Sequence, residues 1–316
     1  MLAAMTNARF SLSIDTHTFS VVETANFVDL TPWHHFGFTA ANAAILEAIE
    51  GYSIIHIVDL SPTHCMQIPT LIDAIARLEG PPMVKLTVPG VSKDFPPMLD
   101  LAYEELGSKL VNFARSRNVM LEFRVVPSNH ANGFASLIDQ LRLQHLVYAE
   151  NGTEALVMNC DMMLHYIPEE SLSPLPNANS TPYTFEPSPN RSLRTMLRFA
   201  FNYLWIPYDT VDTFLPKGSK QRQWYEADIC WKIQNVIAQE GLQRVERVES
   251  KSRWMQRMRN AEFRGVNFGE EAVLEVKTML DEHAGGWGVK KEEEDILLTW
   301  KGHNVVFATA WVPASA

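Results

Sequence analysis

The chain has 316 residues, 46% of them hydrophobic, enough for one large core or two modest ones. Its formal net charge of −10 argues against nonspecific attraction of the whole molecule to nucleic acid. Three scattered cysteines, Cys65, Cys160 and Cys230, point to a reducing compartment and away from a disulfide framework, and lie too far apart for zinc knuckles.

Residues 1–30 carry no strong pattern. MLAAMTNARFSLSIDTHTFS has no continuous apolar region after its early arginine, so a signal peptide is not expected, and no stretch approaches a membrane span. A soluble, intracellular protein without membrane association is the expectation. From Thr39 to Gly51, Ala41, Ala44, Ile45, Ala48 and Ile49 form a helical stripe, with Thr39 as cap and Gly51 as stop. Ile54–Asp59, IIHIVD, reads as a strand buried on both faces. Met66–Arg77 follows as a helix with Pro69 in its first turn. This is the opening unit of an open α/β sheet, whose ligands gather at the carboxyl ends of strands.

The rhythm continues through a strand at Met83–Val88, a helix at Leu99–Arg115 and a strand at Met120–Val126. A helix at Phe134–Leu143 and a strand at Ala155–Asn159 complete it. Four alternations predict a doubly wound, mostly parallel sheet flanked by helices. Ser171–Asn190, rich in proline, serine and asparagine, reads as a loop or linker. Helices resume with RSLRTMLRFAFNYLW, then Trp224–Gln239, Ser252–Phe263 and Glu270–His283. ILLTWKG and HNVVFATAW predict an antiparallel hairpin turning at Gly302.

The sheet order and Asp59 also look like a methyltransferase core, but the devices for holding S-adenosylmethionine are missing. The turn Leu60–Gln67 has no glycine, and the second strand ends in Thr87-Val-Pro-Gly without an acid for a ribose. His56 reads as a buried neutral imidazole bonded to backbone or carboxylate. A general base would need a partner and a cleft. Asp59 is expected to cap the next helix or anchor the turn. His64 and Cys65 are adjacent and make a poor catalytic pair, and His165 fits a helix start. No HExxH, P-loop or GxSxG occurs. The expectation is no catalytic residue, no cofactor-binding residue and no metal.

Charge is uneven. Arg244–Arg264 holds seven bases against three acids, while Glu270–Asp295 holds nine acids against three lysines. Arg253, Arg257 and Arg259 are candidate contacts to nucleic acid or a partner, although a solvated helix face reads the same way. Trp224, Trp254, Trp287, Trp300 and Trp311 serve either core packing or a partner groove.

Ile55, His56, Ile57, Val58 and Asp59 resemble the VHIID signature of the GRAS family of plant transcriptional regulators. TPWHHFGFTAANAAILEA and THCMQIPTLIDAIA resemble its scarecrow-like branch, and YEELGSKLVNFARSRNVMLEF resembles its second leucine-rich region. Arg244, Val245, Glu246 and Arg247 resemble its RVER element. Trp254 with Gly265, Leu298-Thr-Trp300 and Ala308-Thr-Ala310-Trp311 resemble its closing SAW motif. The similarity covers about 31–168 and 191–313, which makes 31–316 a GRAS-like domain interrupted at 171–190, after a poorly defined 1–30 segment.

The resemblance implies a Rossmann-like, methyltransferase-type sheet with an antiparallel C-terminal hairpin. It also implies that most of the N-terminal leucine-rich region and one central strand near 171–190 are missing. Implied too is a non-enzymatic nuclear regulator without cofactor, acting through other transcription factors. Those are C2H2 proteins of the indeterminate-domain type or other GRAS proteins, with homo- or heterodimers and DNA association as further expectations. An S-adenosylmethionine-dependent methyltransferase, a direct sequence-specific DNA binder and a truncated product that is nonfunctional or dominant-negative remain alternatives.

Overall fold

Residues 18–90, 98–99, 102–128, 134–148, 154–166, 193–238, 250–283 and 285–314 are described by the structure, a computed structural model. The chain divides into two compact units. One holds the described residues within Asp15–Leu164 and Glu249–Ala316, and the other those within His165–Val248.

The first unit opens with a short strand β1 (Thr18–Phe19) and helix α1 (Val21–Asp29). Ser20 and Glu23 cap α1 reciprocally: Ser20 N donates to Glu23 Oε2 at 3.0 Å, and Glu23 N donates to Ser20 Oγ at 3.3 Å. Helix α2 spans Pro32–Ala48. Pro32, with its fixed φ and no N–H to lose, stands in the first turn, so the helix begins seven residues before the expected Thr39, which lies mid-helix. Gly51, at φ +85°, takes the left-handed turn beyond the helix end.

Strand β2 (Ile54–Asp59), helix α3 (Ile68–Ile75) and strand β3 (Met83–Gly90) follow. Next come β4 (Met98–Leu99), α4 (Tyr103–Ser116), β5 (Leu121–Pro127), α5 (Ala135–Tyr148) and β6 (Glu154–Asn159). Among the described residues, four strands make a parallel sheet in the order β5-β3-β2-β6. The predicted α/β class and parallel sheet are therefore present, with β2 central. Strand alternation gives the sheet two faces. On one, Ile55, Ile57, Val84, Leu86, Val88 and Leu121 pack with Leu71, Ile72 and Ile75 of α3 and Leu110 and Ala114 of α4. Each of the Val, Leu and Ile side chains, fully buried, contributes about 1.5–3 kcal/mol. Gly107 lets α4 approach closely, since a Cβ there would lie 2.3 Å from the Phe123 ring. On the other face Arg124 donates to Gln140 of α5 at 3.1 Å.

The C-terminal part adds α8 (Lys251–Asn260), β7 (Phe263–Val266), α9 (Glu270–Asp281), β8 (Trp287–Glu292), β9 (Asp295–Trp300), β10 (His303–Ala308) and β11 (Ala310–Pro313); α6 and α7 belong to the second unit. The predicted hairpin forms as β9 and β10. It is extended on one side by β8, a strand that polar VKKE did not announce, giving the order β10-β9-β8. HNVVFATAW does not stay in that sheet. At Thr309 the chain is re-aimed, and β11 pairs instead with β7, aligning Trp311 with Gly265. The helix expected at Ser252–Phe263 ends at Asn260, because Glu262 turns at φ +62° and Phe263 starts β7.

Helix α2 serves both sheets. Ile45 joins the core under the parallel sheet, while Phe36 and Ala40 join Phe268, Ala272, Val276, Ile296 and Leu298 beneath the C-terminal strands.

In the second unit, α6 (Leu193–Phe214) and α7 (Lys220–Ala238) form a helix pair turned by Gly218 at φ +83°. Leu204 and Val236 are buried between them with Ile233 and Ile237. Arg222 ties the turn: it donates to Asp212 at 2.8 Å, to Glu226 at 2.7 Å and to the Leu215 carbonyl at 3.2 Å. The expected loop at 171–190 lies outside the described residues.

Candidate functional site

In a parallel sheet ordered this way, the ligand crevice lies outside the carboxyl ends of β2 and β6, where neighbouring connections leave in opposite directions. Asp59 ends β2 there, 2% exposed, in register with Asn159 of β6. Its Oδ1 accepts from Ser61 N at 3.1 Å and from Asn159 Nδ2 at 2.9 Å, and its Oδ2 accepts from Ser61 Oγ at 3.0 Å. Asp59 therefore anchors the turn. It does not cap α3, whose first flanking residue is Gln67.

The network continues across the crevice. Asn159 Nδ2 also donates to Gln67 Oε1 at 2.9 Å, Gln67 Nε2 donates to Asn42 Oδ1 at 2.9 Å, and Asn42 Nδ2 donates to Thr70 Oγ1 at 2.9 Å. Thr63 and Gln67 are completely buried. The turn reaches this position through two consecutive non-glycine residues in left-handed conformation, His64 at φ 50° and Cys65 at φ 63°. Such conformations cost about 1–2 kcal/mol each and persist where the surroundings over-determine them. A cofactor turn leaves bare backbone for a ligand. Here side chains of Thr63, Cys65 and Gln67 occupy the turn, so the residues present do not fit an adenosyl group.

Electrostatics agree. Burial, only partly offset by the hydrogen bonds from Ser61, Asn159 and Cys65, raises the Asp59 carboxyl above its ordinary value. Burial and then the Asp59 charge push the Cys65 thiol well up, and burial with the charges of Asp59 and Asp161 pushes Cys160 to about 12. Neither sulfur is a nucleophile near neutral pH.

His56 faces the opposite side of the sheet. Its Nε2 stands 2.8 Å from Thr87 Oγ1 and its Nδ1 3.8 Å from Glu154 Oε1, while Lys85 Nζ donates to Glu154 Oε2 at 2.9 Å. One partner is thus a hydroxyl, beside the carboxylate of the kind that was expected. Hydroxyl, imidazole and carboxylate in series resemble a nucleophile–base–acid chain, but the geometry does not support one. The His56–Glu154 separation exceeds a hydrogen bond, and Thr87 and His56 are each 4% exposed. They form a cross-strand ladder that satisfies polar groups inside the sheet.

The C-terminal motif residues converge as packing. Leu298 and Trp300 are fully buried, and Trp300 lies 4.7 Å from Trp287 between ring centroids, with Lys301 Nζ 4.9 Å from the Trp300 ring. Trp300 therefore cannot line a partner groove. Gly265 leaves room for the Glu294 carboxylate, whose Oε2 would lie 2.0 Å from a Cβ there and would have to swing aside for any larger residue. Ala310 pairs with Val266, and Trp311 is half-buried beside it. Trp254 is half-buried on α8, with the Arg257 guanidinium 5.4 Å from its ring.

The basic segment is narrower than its composition suggested. Arg244, Val245, Glu246 and Arg247 lie outside the described residues. Lys251 is committed to Asp295 at 2.9 Å and Glu292 at 3.4 Å. Arg253 and Arg257 are half-buried and Arg259 is exposed. Among the described residues, no group of three or more His, Cys, Asp or Glu side chains could hold a metal ion, and no helix is long and apolar enough to cross a membrane.

Sequence reasoning singled out Asp59 and His56 but not their partners Asn159, Gln67, Asn42, Thr87, Glu154 and Lys85. Asn42, polar within an alanine-rich helix, was the one local signal.

Comparison with known proteins places this geometry in context. The GRAS domain family matches residues 2–181 and 187–312. Scarecrow-like protein 32 of Arabidopsis thaliana is 58% identical over 322 residues, covering 95% of this chain and 76% of that protein. Putative scarecrow-like protein 16 of the same plant is 52% identical over 206 residues, 60% of this chain and all of its own length. Protein SHORT-ROOT of Arabidopsis thaliana is 28% identical, with 91% of this chain matching 57% of it. The crystal structure of SCL7 in Oryza sativa superposes with a TM-score of 0.69 at 17% identity, covering 91% of this chain and 82% of that one, which is a likeness of fold.

Proposed function

The chain belongs to the GRAS family of plant transcriptional regulators, and from that premise we propose that it acts in the nucleus as a non-enzymatic regulator through contacts with other transcription factors. The observation that carries this reading is the closed crevice, where Asp59, Asn159 and Gln67 bond to one another across the place a small ligand would take. A scaffold whose ligand site is filled by its own side chains leaves recognition to its surface. C2H2 proteins of the indeterminate-domain type and other GRAS chains are the partners proposed, the latter as homo- or heterodimers.

Two measurements test it. Calorimetry with S-adenosylmethionine is expected to show no binding; micromolar affinity abolished by substitutions in 60–67 would replace this reading with a methyltransferase. Direct titration of the chain with an indeterminate-domain zinc-finger protein is expected to give a complex, and failure to associate with it or with any GRAS chain would remove the partner reading.

A second reading, DNA association through α8, is favoured by the exposed Arg259 beside Arg253 and Arg257. It expects duplex binding that weakens with salt and is lost when all three become glutamate.

A further inference from the structure

Strand β8 carries Val289-Lys290-Lys291-Glu292, followed by Glu293-Glu294-Asp295. We propose that Lys290 is a conjugation site for a ubiquitin-fold modifier of the small ubiquitin-like class. The conjugating enzyme of that class reads an extended segment of aliphatic residue, lysine, any residue and acid, and acids further on strengthen the encounter. Lys290 is the one lysine of the 316 residues with an aliphatic neighbour before it and an acid two positions after it.

The structure supplies what a motif cannot. β8 is the outer strand of its sheet, in the order β10-β9-β8, so among the described residues the segment is already extended and one of its edges is unpaired. An enzyme that binds an extended peptide has no ordering cost to meet there. Alternation places Lys290 and Glu292 on one side of the strand, and Lys290 Nζ reaches the Glu292 carboxylate, so both are presented together. The Lys290 side chain is 57% exposed. Its neighbour Lys291 points the other way and donates to the Phe268 carbonyl at 2.8 Å. Fold, and not spacing alone, thus selects between two adjacent amines. Of the acids that follow, Glu293 lies exposed in the turn.

In the reaction, the Lys290 ammonium loses a proton to solvent and its Nζ attacks the C-terminal glycine carbonyl of the modifier, carried as a thioester on the enzyme's cysteine. The C–N isopeptide bond forms, the C–S bond breaks, and the departing cysteine sulfur takes up the second proton.

The test uses the whole chain with purified activating and conjugating enzymes, ATP and the mature modifier. Wild type is expected to gain one band, heavier by one modifier. Lys290→Arg abolishes it, Lys291→Arg retains it, and Glu292→Gln lowers its yield several-fold, with thermal melts confirming that each variant is folded. An undiminished band in folded K290R overturns the proposal. So does an unmodified wild-type chain when a peptide spanning 286–296 is modified under the same conditions, because the strand would then be hiding the lysine.

Discussion

Two sheets share helix α2 and close by different means. The parallel sheet is an aliphatic sandwich whose carboxyl end is sealed by a neutral-to-singly-charged hydrogen-bond network around Asp59. The C-terminal strands also cover an aliphatic core but add aromatic rings and ion pairs to it, with Trp300 against Trp287 and Lys251 reaching Asp295. The contrast follows from position. Side chains at the crevice are out of water and must satisfy every polar atom among themselves. At the C-terminal end Trp300 and Asp295 are equally enclosed, and it is Lys251, 22% exposed, that keeps part of its hydration while pairing with the buried carboxylate.

The comparison can be broken most severely at Trp300. Replacing this fully buried ring by alanine is expected to cost about 3–5 kcal/mol and to lower the urea midpoint accordingly. A loss under about 1 kcal/mol would mean that the aromatic pair is not what holds the C-terminal strands.

Asp59→Ala comes next, at about 3 kcal/mol, since it strands buried donors on Ser61 and Asn159. Asp59→Asn preserves shape and acceptor and is expected to stay folded with little loss. Wild type and Asp59→Asn differ in pH dependence. Because the folded carboxyl titrates above its ordinary 3.8, the folded protein holds the proton more tightly than the unfolded chain. Wild-type stability therefore falls as pH rises from 3.8 toward the folded value, and the asparagine variant lacks that slope. Parallel curves for the two proteins would contradict the assignment.

Lys251→Met leaves Asp295 buried without its ion pair, with an expected loss of about 2 kcal/mol, less than for a fully enclosed pair because Lys251 reaches water. Asp295→Asn in the same background should recover much of it, a coupling that a double-mutant cycle measures.

The smallest effect is expected at Gly107→Ala. The added methyl overlaps the Phe123 ring, but about 1 kcal/mol of helix propensity is regained, so the net loss is about 1 kcal/mol. A gain in melting temperature would show that α4 can move off β5.

Much of the parallel sheet was legible. IIHIVD, short and rich in β-branched residues, fits a buried strand, and the alternation of strand and helix after it left few topologies. The missing glycine in Leu60–Gln67 already argued against a cofactor turn. Less was legible at the C-terminal end. β8 reads as an acidic solvent run because an edge strand needs little hydrophobicity, and HNVVFATAW reads as one strand although Thr309 splits it between two sheets. The capping pair Ser20–Glu23 was readable in principle, as serine followed three residues later by glutamate.

Local periodicity and turn chemistry are short-range, so the sequence by itself determined the element types, the α/β class and the family signature. The tertiary structure alone decided that Asn159, one hundred residues beyond Asp59, would bond to it and fill the crevice. It alone decided that Trp300 would be core, that Lys251 would be tied to Asp295, and that Lys291 rather than Lys290 would be held by the Phe268 carbonyl. Such pairings depend on register between strands distant in sequence, and nothing in either partner's neighbourhood encodes the other.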